Sequence, residues 1–259
     1  MFSSTRQALV STLLSAACAL PAAAATTTLY DPAAGTLPTA QGWTVLSAGA
    51  AATQSVNGFA YSLDTTGAGV GIYGNGRLSP VPLDTAAGFD IRFTLRVASE
   101  SHTSTNRAGF TFLMLGSDPT KALELAFWAD EVWSQDYVPG NPDRFVHGAG
   151  AAVDTTINRV YELSVRDQQF TLKSGPAVII VGPPLTTLFT GSLRNYTAEG
   201  APYTTPNFLF FGDNSTRGAA SVQIGQMTIT PVPEPAAAAL LLAGLAVLGW
   251  RVARSRRPG

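Results

Sequence analysis

Thiols and imidazoles are nearly missing from this chain: it holds one cysteine, Cys18, and two histidines, His102 and His147. Cys18 falls within an apolar N-terminal run that reads as a removable leader. The mature chain would then carry no disulfide, no thiol nucleophile and no cysteine-ligated metal. Lipidation of Cys18 is disfavoured too, because Ser15 stands where a lipoprotein signal has leucine. The histidines sit in polar, loop-like stretches with no Gly-x-Ser-x-Gly elbow, which removes the usual frame for Ser-His-Asp catalysis. A zinc site would have to recruit carboxylates from separate loops. Charge is also scarce, at 13%. Between Thr26 and Thr230, 11 Lys/Arg stand against 16 Asp/Glu, a balance of −5 with no basic patch, so nucleic acid is set aside as a partner. Helical periodicity is the last absence: no 12-residue window keeps a 3.6-residue apolar repeat with caps.

What is present begins with the two ends. Arg6 supplies a positive start, Ala8 to Leu20 an apolar core, Pro21 a break, and Ala22 to Ala25 a small-residue cleavage site. Residues 1–25 therefore read as a signal peptide, removed by signal peptidase on export. At the other end Pro231, Pro233 and Pro235 lack N–H donors and bias their predecessors away from helix, which makes a stiff extended spacer. Ala236 to Trp250 then run without charge, as a helix immersed in lipid would. Arg251, Arg254, Arg256 and Arg257 hold the terminus on the cytoplasmic side. The 18 residues from Ala236 to Ala253 would span about 27 Å, short for a transmembrane helix unless the arginines snorkel. Pro233-Glu234-Pro235, the Ala/Leu-rich span and the arginine cluster resemble the PEP-CTERM sorting signal of Gram-negative bacteria. That resemblance implies an exosortase, a membrane transpeptidase, as processing partner. It also implies passage through the inner membrane, anchored by the C-terminal helix until processing, and delivery to the cell surface or beyond. An ordinary single-span anchor is the alternative.

Between the ends, residues 26–230 carry strand signals. Phe89, Ile91, Phe93, Leu95 and Val97 alternate with Asp90, Arg92, Thr94 and Arg96, which predicts a strand with one wet face. Gly109 to Leu115 is apolar on both parities after Thr111 and predicts a central strand. Ala122 to Trp128 alternates Leu123, Leu125 and Phe127 with Glu124, Ala126 and Trp128, and a hairpin at Asp130-Glu131 leads into Val132 to Gln135. Gln135 to Thr156 reads as loop, with Pro139-Gly140-Asn141-Pro142 in it. Strands follow around Tyr161, Leu163 and Val165, then Phe170 and Leu172. Ser174-Gly175-Pro176 is expected to turn into a further strand, Val178 to Val181. Another strand is expected at Asn207 to Gly212, before the turn Asp213-Asn214-Ser215-Thr216. The last strand flips its apolar parity between Ile224 and Met227, so Gly225-Gln226 predicts a β-bulge.

About a dozen short strands over this length predict an all-β, two-sheet antiparallel β-sandwich. Leu123 to Trp128, Trp133-Ser134-Gln135 and Asn207 to Asp213 resemble the choice-of-anchor secreted bacterial domains, the Y type most of all. The resemblance implies a concanavalin-like lectin/glucanase jelly roll over most of Trp43 to Thr230, and it implies no established activity.

A jelly roll of that kind raises glycan hydrolysis, which needs two carboxyls facing one cleft. Glu124 is followed at i+2 by Ala126 and at i+4 by Trp128, so the pair is incomplete on this strand. Glu124 is expected on a half-exposed face with no catalytic role. Calcium could draw on Asp130, Glu131, Asp136, Asn141 and Asp143, although no fixed loop spacing joins them and solvated turn acids explain them better. Carbohydrate binding could use Trp128, Trp133 and Tyr137 as a stacking platform, with Asp130 and Gln135 for sugar hydroxyls. The competing expectation, and the weightier one for Trp133, is that both tryptophans fill the core, as Trp43 should.

Three functions follow in order. The first is a non-enzymatic surface or extracellular-matrix protein delivered by its sorting tail. The second is a carbohydrate-binding module for extracellular polysaccharide, and the third a glycan hydrolase with an unrecognised site.

Overall fold

A computed structural model describes residues 25–49, 51–67, 71–141, 143–177 and 184–232. The leader and the apolar tail lie outside these residues, apart from Ala25, Pro231 and Val232. No helix among the described residues is long and apolar enough to cross a membrane, and the span expected at Ala236–Ala253 lies beyond them.

The strands, in chain order, are β1 (Thr27–Tyr30), β2 (Thr44–Ala48), β3 (Thr53–Val56), β4 (Tyr61–Asp64), β5 (Ile72–Leu78), β6 (Phe89–His102), β7 (Thr111–Leu115) and β8 (Ala122–Phe127). They continue through β9 (Glu131–Tyr137), β10 (Phe145–Ala152), β11 (Arg159–Arg166), β12 (Gln169–Pro176), β13 (Thr186–Ser192), β14 (Phe208–Asp213) and β15 (Gly218–Pro231). Two antiparallel sheets result. The first runs β13-β12-β11-β6-β15-β4-β3, with β1 also against β15; the second runs β10-β9-β8-β7-β14-β5-β2. This is the predicted all-β sandwich, in keeping with a concanavalin-like jelly roll.

The inner faces meet in one apolar core. Phe93 of β6 stacks on Phe112 of β7 at 5.1 Å and on Tyr161 of β11 at 5.5 Å. Trp43 closes one end of the core, its indole N–H donating to the Leu29 carbonyl. On β6 the alternation holds as predicted, with Phe89, Ile91, Phe93, Leu95 and Val97 all buried. Its other face stays wet and carries ion pairs such as Arg166–Asp90. The bulge also falls where expected: Ile224 faces Leu95 and Met227 faces Phe93, so three residues of β15 span two of β6.

Three expectations are corrected. The stretch 135–156 is not all loop, because β10 forms within it and pairs with β9. Its Gly148 and Gly150 gave no alternation to read. Glycine is needed there because a Cβ would meet the Asp136 carboxyl at 2.8 Å and the Trp133 side chain at 2.6 Å. Ser174-Gly175-Pro176 does not turn; it extends β12, with Gly175 opposite Val160. The strand expected at Val178–Val181 lies outside the described residues. Glu124 is not half-exposed: it is 2% accessible, and every residue of β8 is buried.

Candidate functional site

Strand parity should leave the outer face of the second sheet to water, yet connecting segments cover it. Leu113, Glu124, Trp133, Gln135, Phe208 and Phe210 project there and all are buried. Phe208 and Phe210 lie over Gly76 and Gly74 of the neighbouring strand, where any Cβ would strike their rings. Tyr196 and Tyr203, from the connection between β13 and β14, close over this face. The Tyr196 hydroxyl donates to the Gln135 carbonyl at 2.7 Å.

Beneath that cover sits one acid. The Tyr203 hydroxyl donates to Glu124 Oε2 at 3.3 Å, and Asn214 Nδ2 donates to Glu124 Oε1 at 3.2 Å and to the Tyr203 hydroxyl at 2.7 Å. Burial pushes the Glu124 carboxyl above its ordinary range, while the Asn214 bond and the nearby Arg107 charge pull it down. Burial likewise keeps the Tyr196 and Tyr203 phenols well above theirs. Next along β14, burial pushes Asp213 up to about 8, although the Ser215 N–H and the Thr65 hydroxyl favour its charge.

Asn214 is shared with a groove of about 520 Å³ that opens beside edge strand β2. Leu46, Ile72, Leu113, Pro202 and Phe210 make its apolar lining. Such a concavity, mostly apolar with a polar group at one end, is the usual form of a small-ligand site.

The residues picked out in the sequence lie elsewhere. Trp133 is fully buried, stacked on His147 at 4.2 Å with Trp128 edge-on at 5.5 Å. Trp128 is half-buried; His102 covers one face at 4.3 Å, and its indole N–H donates to the Arg107 carbonyl. Gln135 is buried and accepts from Arg107, Tyr137 donates to Glu199, and Asp130 stands exposed at the hairpin turn. A shared stacking platform therefore does not form at this hairpin: its rings pack on histidines and on each other. The calcium candidates are dispersed as well. Asp136 pairs with Arg194, Asp143 with Arg217, and Glu131 with His147. Asn141 accepts from the Asp143 amide. No group of three His, Cys, Asp or Glu that could hold a metal ion occurs among the described residues. Sequence reasoning missed Tyr196, Tyr203 and Asn214. Two tyrosines in a stretch without strand pattern, followed by an Asx turn, were the only signal available.

The chain's tail bears directly on its address. Residues 231–257 match the PEP-CTERM protein-sorting motif. The chain carries a PEP-CTERM sorting motif. A protein with this motif is exported and is held by its tail at the membrane before exosortase processing. No curated protein matches the chain in sequence. Among solved structures it is similar to a carbohydrate esterase from Shiga toxin-encoding bacteriophage phi24B, with 16% identity and a TM-score of 0.52 over 80% of this chain and 99% of that one. A protein of unknown function from Shewanella oneidensis MR-1 has 11% identity and a TM-score of 0.45, over 82% and 87% of the two chains. The exoplasmic/lumenal domain of VIP36 in its Ca2+-bound form has 9% identity and a TM-score of 0.45, over 79% and 89%. The esterase likeness is one of fold alone.

Proposed function

We propose that this PEP-CTERM protein is a non-enzymatic surface or matrix protein whose sandwich binds a ligand in the groove beside β2. The observation that carries the reading is the setting of Glu124. Glycoside hydrolysis needs a second carboxyl within about 5–10 Å of the first across a cleft. Glu124 is held by Tyr203 and Asn214, and the positions along its own strand that could bring a second carboxyl to the same face are Ala126 and Trp128. Both histidines are engaged with glutamates and tryptophans at another part of the sheet. The groove itself favours an uncharged ligand with one apolar face, the description of a sugar ring, with the half-buried Asn214 side chain at its polar end. Extracellular polysaccharide is therefore the proposed partner.

Retention of the purified protein on polysaccharide from its own host, compared with Ala48→Arg, tests this. Ala48 lines the groove and is exposed, so the arginine should fill the groove and leave the fold intact. Retention should fall at least tenfold. Equal retention by both proteins would remove the groove, and release of reducing sugar would return the hydrolase reading.

A further inference from the structure

At Asn214 the groove beside β2 meets the buried acid. The Asn214 side chain lines the groove and is half-buried. A carboxamide carries two N–H donors and one carbonyl acceptor. Both donors are used inward here. Nδ2 donates to Glu124 Oε1 at 3.2 Å and to the Tyr203 hydroxyl at 2.7 Å, and that hydroxyl donates on to Glu124 Oε2 at 3.3 Å. Turned over, the amide would set Oδ1 against the acceptor oxygens of Glu124, and both Nδ2 bonds would be lost. The backbone is fixed as well, because Asp213 Oδ1 accepts from the Ser215 N–H at 3.0 Å and closes an Asx turn around Asn214. Oδ1 is therefore the atom this side chain has left to offer a ligand.

The lining supplies no charge to balance an anion. Among the described residues it contains no lysine, arginine or histidine. Arg107, the cation whose charge reaches Glu124, is committed elsewhere, donating to the Asp143 and Phe145 carbonyls at 2.8 Å and 3.2 Å. A ligand carboxylate seated beside Oδ1 would lose its water and gain no donor, which is costly. A hydroxyl or an amide N–H in the same place donates to Oδ1. We propose that Asn214 Oδ1 selects glycans that present such a donor over glycans that carry a carboxylate there. Glu124 and Tyr203 are the positioning residues that hold this oxygen toward the groove. Glu124 does so from one strand behind the wall, opposite the lining residue Leu113. The inference rests on the groove reading of the function, and adds the direction of its hydrogen bond and the pair that sets it.

The test immobilises two forms of the host's extracellular polysaccharide. In one, uronate carboxyls are reduced to hydroxymethyl groups; in the other, primary hydroxyls are oxidised to carboxylates. Retention of the purified protein is compared in about 0.5 M salt, where repulsion beyond a few ångströms is screened. The parent should be held at least tenfold better by the reduced form. Asn214→Leu should lose that preference, to threefold or less. Glu124→Gln should lose it too, because an amide at 124 donates as well as accepts and supports Asn214 in either orientation. Tyr203→Phe changes no charge and should shift the ratio the same way. A purely structural role for Glu124 or Tyr203 would lower retention on both forms and leave the ratio alone. Equal retention of the parent on the two forms, or a preference for the oxidised one, would overturn the inference. So would a tenfold ratio that survives in Asn214→Leu, or in both Glu124→Gln and Tyr203→Phe. If Ala48→Arg is held as well as the parent, the groove reading itself fails and takes the inference with it, a result distinct from the others.

Discussion

Buried carboxyls are the residues whose behaviour this fold alters most. Asp213, Glu124 and Glu100 are all shifted upward, in each case chiefly by burial. A carboxyl that holds its proton more tightly when folded adds stability that is complete below its ordinary pKa and is lost as pH rises through the folded value. For Asp213 that window runs from 3.8 to about 8. The melting temperature should therefore be higher at pH 5 than at pH 8.5, and Asp213→Asn should flatten the difference; a Tm that rises from pH 5 to 8.5 would contradict the assignment. Glu124→Gln belongs with it. The amide keeps the shape and removes an acid that is costly to ionise, so at pH 8 the variant should melt no lower than the parent. Trp133 is the opposite case. Its truncation to alanine should cost about 3–5 kcal/mol through lost burial and the cavity left behind, read as a shift in denaturant midpoint.

At the scale of elements, the two edges of the second sheet do different work. Strand β10 is glycine-rich because side chains of β9 lie over it, so its sequence is dictated by a neighbour rather than by its own alternation. Gly148→Val should clash with the Ser134 carbonyl and the Asp136 carboxyl and destabilise the fold by about 1–3 kcal/mol. Thermal melts would show it, and an unchanged Tm would mean that the edge strand yields freely. Strand β2, at the other edge, borders the open groove. The connection between β13 and β14 decides how open that groove is, since it carries both covering tyrosines and Pro202. The His102–Trp128 and Trp133–His147 stacks lie on the β8–β9 side and tie the segment at 102–108 onto the sheet.

For the whole molecule, stability should need neither reductant nor metal. Of the acids grouped as calcium ligands, Glu131, Asp136 and Asp143 pair with basic side chains of the protein, and the core between the sheets is extensive. Melts with and without chelator should coincide, and a fall of several degrees on chelation would restore a bound ion to the account.

Composition and local pattern determined the class of this protein. Scarce charge, frequent period-two runs and turn residues specify strands, because alternation reports directly on a sheet with one buried face. The β6 face, the β15 bulge and the sorting tail were all legible for that reason: each is written in contiguous residues. What only the tertiary structure decided is everything that depends on a second segment. Glu124 looked half-exposed because its strand alternates, and it is buried because Tyr203 and Asn214, 79 and 90 residues away, close over it. Strand β10 was hidden because its glycines answer to β9, and the groove exists only where β2, β14 and the Pro202 segment meet. Alternation records which side of a strand is apolar. Whether the polar side meets water or another part of the chain depends on long-range contacts, and no local pattern carries them.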